Sequence, residues 1–449
     1  MQTAKPQMVR SFALFWFAAV ATVAMLAAVQ GTAHASLAKL GNMHRSGIVP
    51  SPDAAHAGRS QVGGDHAHWL AAAHLARAID DEACETSAKP YRAAYAAHRK
   101  RLDSYWSQVK RLRSRRSKRR KQGKAIRKAD YALSFPPKYS GPKAPKCLAA
   151  IAKRKAIKRP RKPSTIGTVK DFLAAAKRFY NFTPRAPRDE LEFKLAYARE
   201  ALALGMTQNQ IIGVYSLETG GIGPYNRQSG IHPLDYQCNP IKPKGRPAST
   251  ALGYSQLLSA NSQAVIKERG DKFARRLEFQ AVQEQGARRS ELMAKAAVLR
   301  KMQRDIARGI RKYSNRNNWR EFVKFGKTTR GYAVHAMNLD VDVGPMMQVN
   351  KLRKIVDVSE RRGHRNISGA KLELMNLAGY GRGLEMLTPV ARDVPTSNFF
   401  SRGGYARNPV VSGRSSAGLL AKIDEIIGRR KQNCGAQEFI RVFQSLESQ

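Results

Sequence analysis

Acidic residues are scarce in this chain. Against 80 Lys and Arg stand 33 Asp and Glu among 449 residues, a formal net charge of +47. A balance this basic disfavours cationic partners and points to polyanions, but it carries no information about the fold. Cysteine is also scarce. Cys84, Cys147, Cys238 and Cys434 are the whole set, and none forms a C-x-x-C pair, which leaves zinc and thioredoxin-like chemistry without support. His66, His68 and His74 have no Cys, Asp or Glu at ligand spacing, so no metal and no other cofactor is expected. Runs of alternating apolar and polar residues are missing, as are internal repeats, so a sheet-rich or solenoid architecture is not expected. Few aromatics interleave with the basic stretches, which argues against a base-stacking nucleic-acid site. After residue 29 no stretch is apolar enough to cross a membrane.

What is present begins with a processing signal. Lys5 and Arg10 precede FALFWFAAVATVAMLAAV at 12–29, and Ala33-His34-Ala35 follows in small-x-small order. The expectation is a signal peptide over 1–35, cleavage before Ser36, and export to the periplasm or cell envelope. An uncleaved inner-membrane anchor is the alternative. In an oxidising compartment four cysteines allow three connectivities. Cys84–Cys147 with Cys238–Cys434 is preferred, because each bridge then stays within one region.

Residues 36–164 form a basic N-terminal region, expected to be a short helix from Asp65, further helix over 88–130, and linkers. Of the 19 residues at 110–128, 12 are Lys or Arg. A like-charge block of that density reads as disordered or as a solvated face. A second basic run covers 153–163. Together these runs suggest electrostatic tethering to anionic envelope polymers or lipid headgroups. From 165 the composition turns globular, and 165–449 reads as one mainly α domain. Helical segments begin at VKDFLAAAKRFYNF and RDELEFKLAYAREALALG, the second closed by Gly205.

TQNQIIGVYSLETGG at 207–221 carries the candidate chemistry. Thr207-x-x-Gln210 is a capping box that starts a helix. Ile211, Val214, Tyr215 and Glu218 share one face, and Thr219-Gly220-Gly221 end the helix. A carboxylate on an apolar face at a helix C-terminus is opposed by desolvation and by the helix dipole. Both raise its pKa, as a general acid requires. A long loop follows, with Tyr225, Asp235 and Cys238, ending in Gly253-Tyr254-Ser255-Gln256-Leu257. Later, Ala378-Gly379-Tyr380-Gly381 interrupts a helical pattern. Asp340 and Asp342 in NLDVDVGP form a second acidic feature, expected to cap and to bond loop backbone.

In order and content these three motifs resemble those of the soluble lytic transglycosylases of the lysozyme-like superfamily. The resemblance covers about 205–262 and 370–390. One departure is that Asn376-Leu377 stands where the family carries Tyr-Asn before Ala-Gly. The resemblance implies a lysozyme-like helical domain and peptidoglycan glycan strands as substrate. It implies Glu218 as the single acid and base at the N-acetylmuramic acid–N-acetylglucosamine β-1,4 bond, giving 1,6-anhydro products, with hydrolysis the other possible outcome. Thr219 and Gln256 would then hold ring substituents, Tyr225 and Tyr254 would stack on sugars, Tyr380 would add a nearby aromatic, and Gly253 would serve a tight turn. The rival expectations are a non-catalytic wall-binding protein and a polyanion-binding protein driven by the basic runs. Nucleic acid is a disfavoured partner once the signal is taken into account.

Overall fold

The computed structural model describes residues 63–157, 166–221, 249–311 and 319–449. The segment read as a signal peptide, and Tyr225, Asp235 and Cys238, lie outside the described residues. Among the described residues the chain is mainly α-helical, with two isolated bridges and no strand. No helix among them is long and apolar enough to cross a membrane. The helices are α1 (Gly63–Lys121), α2 (Lys146–Ile157), α3 (Val169–Tyr180), α4 (Glu190–Ala203), α5 (Gln208–Thr219), α6 (Ser259–Val282), α7 (Gly286–Arg311) and α8 (Trp319–Phe325). They continue as α9 (Thr329–His335), α10 (Val343–Glu360), α11 (Gly369–Ala378), α12 (Tyr380–Met386), α13 (Arg402–Arg407), α14 (Ser416–Arg430) and α15 (Cys434–Glu447).

The described chain forms two compact units. The smaller holds 63–103 and 137–157, and the larger 104–136 and 166–449. In the smaller unit the Cys84–Cys147 bridge joins α1 to α2, as preferred from the sequence. Tyr91 stacks on Tyr95 at 5.6 Å, and Tyr139 meets both edge-on. Cys434 is also disulfide-bonded.

Two expectations are corrected. The short helix from Asp65 and the helix expected from 88 are one continuous helix, α1. The basic run at 110–128 is not simply a solvated face. Arg116 is 1% exposed and bonds the Glu385 carboxylate at 2.6 Å and the carbonyls of Asp130 and Asn398 at 2.9 Å each. Its guanidinium lies 4.4 Å from the Tyr131 ring centre. Arg120 adds a second bond to Glu385, and Arg113 donates to the carbonyls of Ser397, Asn398 and Phe400. Charge density alone cannot reveal this, because the compensating carboxylate lies 269 positions further along the chain. Residues 104–136 therefore belong with the globular region expected to begin at 165.

The core of the larger unit has three main clusters. One packs α3 and α6 to α10, another surrounds α4, α5, α10 and α15, and a third joins α11 and α14. The capping box of α5 is present as read. Thr207 Oγ1 accepts from the Gln210 amide, and Gln210 Oε1 accepts from the Thr207 amide. The helix is buried not on one face but all round, from Gln210 to Thr219, as a helix that is apolar on every side should be. Two glycines make this possible. A Cβ on Gly213 would lie 2.8 Å from Gly369 Cα, and one on Gly369 would lie 2.5 Å from the Asn209 carbonyl oxygen. Helices α5 and α11 thus touch backbone to backbone. Gly220 and Gly221 then adopt left-handed φ of 76° and 75° and end α5.

Two outcomes follow. Gly213→Ala should lower stability by about 1–3 kcal/mol, because the overpacked neighbours are backbone and cannot rotate away. That outweighs the helix propensity gained, up to about 1 kcal/mol. Thermal denaturation of the variant measures it. Arg116→Ala should lower stability by about 3–5 kcal/mol, because it breaks the buried pair and leaves Glu385 only the partly exposed Arg120, read by chemical denaturation.

Candidate functional site: a bridged pair of buried carboxyls

The α5–α11 contact brings three polar side chains into the core. Glu218 lies one turn and a half beyond Gly213, and Glu373 lies one turn beyond Gly369. Asn376, at i+3 from Glu373, shares its face. The Asn376 side-chain amide donates to Glu218 Oε1 at 3.0 Å and to the two Glu373 oxygens at 3.3 and 3.1 Å. Its carbonyl oxygen accepts from Lys351 Nζ at 2.5 Å, reaching in from α10. Glu218 is 9% exposed and Glu373 fully buried. The two carboxyls accept from the same Asn376 nitrogen, and Glu218 Oε2 is buried without a hydrogen-bond partner.

Burial shifts all three charges. It pushes Glu218 up to about 7, against the opposing pull of Lys351, the bond from Glu373, the Asn376 amide and Arg430. Glu373 is pushed well above the carboxylate range by burial and then by the charge of Glu218. Burial lowers Lys351, while both carboxyls pull it back up. The C-terminus of α5 is closed by later segments. Arg430 Nη1 donates to the Leu217 carbonyl at 2.7 Å, and Asn433 Nδ2 to the Gly220 carbonyl at 2.6 Å.

A cavity of about 100 Å³ adjoins this cluster, lined among others by Asn261, Trp319, Lys351, Asn376 and Tyr380. It is small beside typical ligand pockets of roughly 300–1,000 Å³ and has room for a ring substituent, not for a disaccharide. A larger cavity of about 460 Å³ is lined by Arg185, Glu192, Arg288 and Asp342. Two of its acids, Glu192 and Asp342, are already paired. Asp342 bonds Arg288 at 2.6 Å and Lys295 at 2.5 Å; burial raises its pKa, but these partners outweigh that and hold it well below the usual range. Asp340 accepts from the backbone of Arg185, Asp342 and Val343. Asp340 thus bonds loop backbone as expected, whereas Asp342 makes no capping bond and is held in ion pairs.

The residues singled out from the sequence fall in different places. Gly253 has φ +72°, and a Cβ there would lie 2.0 Å from the Gln348 side chain, so the tight turn needs glycine. Gln256 sits at φ +43° and donates its own side-chain amide to the Gly253 carbonyl at 2.8 Å, buttressing that turn. Tyr254 does not present a ring for stacking. It is 1% exposed, packs edge-on against Tyr215 at 4.7 Å and donates to Glu190 Oε1 at 2.5 Å. Thr219 is buried too, its hydroxyl bonded to the Tyr215 carbonyl at 2.6 Å. These are corrections to the expected sugar contacts, and core packing is the reason for both. Tyr380 packs against the α5 core and reaches the cavity shared with Asn376. Glu373 and Lys351 were not foreseen. The available signal was a lone acid inside the apolar helix LELMNLA, three residues from an asparagine.

Comparison with protein-family models, with curated proteins and with solved structures returns no match for this chain.

The raised Glu218 pKa has a stability consequence. In the unfolded chain the carboxyl titrates near its ordinary 4.5, and in the fold near 7. Its protonated form thus favours folding below about pH 4.5, and that contribution is lost as pH rises through 7. Glu218→Gln keeps the Asn376 bond and removes the buried charge. It should gain on the order of 1–3 kcal/mol over wild type at pH 8 and almost nothing at pH 4.5. Paired melting curves at the two pH values decide it, and a variant less stable at pH 8 contradicts it.

Proposed function

We propose that the chain is an exported enzyme that cleaves peptidoglycan glycan strands by lytic-transglycosylase chemistry, with Glu218 as acid and then base. One observation carries this reading. A carboxyl at the end of a fully buried helix, pushed up to about 7, is held by Asn376 beside a cavity. At neutral pH such a group holds a proton for part of the time and can give it away.

In the reaction Glu218 protonates the departing β-1,4 glycosidic oxygen. The C1–O bond breaks with its electron pair on that oxygen, and C1 becomes oxocarbenium-like. The muramic 6-hydroxyl oxygen then bonds C1 and its proton returns to Glu218, giving a 1,6-anhydro ring with no water consumed. Two-carboxylate glycosidases keep their acids roughly 5 Å or more apart, so that both flank the scissile bond. Glu373 accepts from the same Asn376 nitrogen as Glu218 and is fully buried, so it is not placed to act as nucleophile or water-activating base. That supports use of the substrate's own hydroxyl. The envelope location follows from the sequence signal, and the exposed cations of the basic runs would hold the protein near anionic polymers or lipid headgroups.

The test is digestion of purified sacculi by the full chain. Wild type should release muropeptides one water lighter than reducing-end products. Glu218→Gln should lower turnover at least 100-fold while still pelleting with sacculi. Activity should fall as pH rises above about 7, as the acid ionises. Binding without turnover in wild type would favour the non-catalytic wall-binding alternative.

A further inference from the structure

We propose that Glu218 and Glu373 hold a single proton between them, with Lys351 as the compensating cation, and that Glu373 is a positioning residue that governs release of the acid's proton. The geometry is that of a closed four-group network. One amide, that of Asn376, donates to both carboxyls and accepts from Lys351. The Asn376 hydrogens do not reach Glu218 Oε2, which is buried and lacks any donor. A buried carboxylate oxygen facing a second carboxyl with no hydrogen between them would be strongly repelled. One shared proton removes that repulsion and supplies the missing donor.

The charge count agrees. Two carboxyls with one proton carry −1, and Lys351 carries +1, so the buried cluster is neutral. The charged groups that bear on Glu218 are Lys351 from α10, Glu373 from α11 and Arg430 from α14. Arg430 is already bonded to the Leu217 carbonyl, so Lys351 is the cation inside the network. A pair of this kind titrates as a unit, and the proton belongs to neither residue alone.

The catalytic consequence rests on the proposed function. When Glu218 gives its proton to the leaving oxygen, the cluster passes from neutral to −1 just as C1 becomes positive. The negative pair then draws the proton of the 6-hydroxyl back. Glu373 touches no substrate in this scheme and acts only through Glu218.

Infrared difference titration of the full-length protein tests the proton independently of any substrate. Wild type at pH 8 should show the band of one protonated carboxyl hydrogen-bonded to a second, and that band should be lost or displaced in both Glu373→Gln and Glu218→Gln, since neither variant keeps a partner carboxyl. Persistence of that band in either variant overturns the proposal. On sacculi, Glu373→Gln should shift the alkaline limb of the pH profile upward, because the bond from Glu373 holds the Glu218 pKa down, and Glu373→Asp should restore the wild-type limb. A Glu373→Gln profile that overlays wild type also overturns it. Should circular dichroism show that a glutamine variant has not folded, Glu373→Asp decides, and loss of the shared band there counts against the pair. Absence of anhydro products from wild type would sink the proposed function and leave the infrared result standing.

Discussion

The contact of α5 and α11 at Gly213 and Gly369 is the constraint on which the site depends. With no Cβ on either side the two backbones meet directly. Glu218 and Glu373 can then face each other from adjacent turns, and one asparagine amide can reach both. A pair of alanines would push the helices apart and open the network to water. The carboxyls would then return toward their ordinary titration range, because solvent would again stabilise their charge. The shape of two glycines is thereby converted into the acidity of a carboxyl.

Burial works against the fold and for the chemistry at once. A carboxyl removed from water resists ionisation, which weakens the folded state at neutral and alkaline pH, and the same resistance makes it a proton donor near pH 7. The structure limits the penalty by closing the charge locally with Lys351 and by capping the end of α5 with Arg430 and Asn433. The Arg116–Glu385 pair shows the same device in a purely structural setting. There too a buried acid is held by cations, but Arg116, itself buried and anchored by backbone carbonyls, fills the site.

What could be read from the sequence was local. The capping box, the glycine stop and the inward position of Glu218 all rest on residues within fifteen positions of each other, and the structure contains each of them. The helix starts near Val169 and Glu190 have the same origin in short-range pattern. What escaped was long-range. Glu373 and Lys351 act on Glu218 across 155 and 133 positions respectively, by difference of residue numbers. The partner of Arg116 is further still. Tyr254 misled for a different reason. An aromatic in a glycine turn looks exposed, yet the turn folds it onto Phe193 and Tyr215. The asparagine that departs from the family pattern proved to be the residue that bridges the two carboxyls.

The closure of α5 by Arg430 and Asn433 also sets an order of events. The Leu217–Arg430 bond spans 213 positions and the Glu218–Asn376 bond 158. Contacts this distant form late, after the loop-closure entropy of the intervening chain has been overcome. Until then Glu218 sits on a nascent helix in water and behaves as an everyday carboxylate, ionised at neutral pH. The acid is thus a product of completed folding, and a partly folded chain has every residue of the site and none of its reactivity.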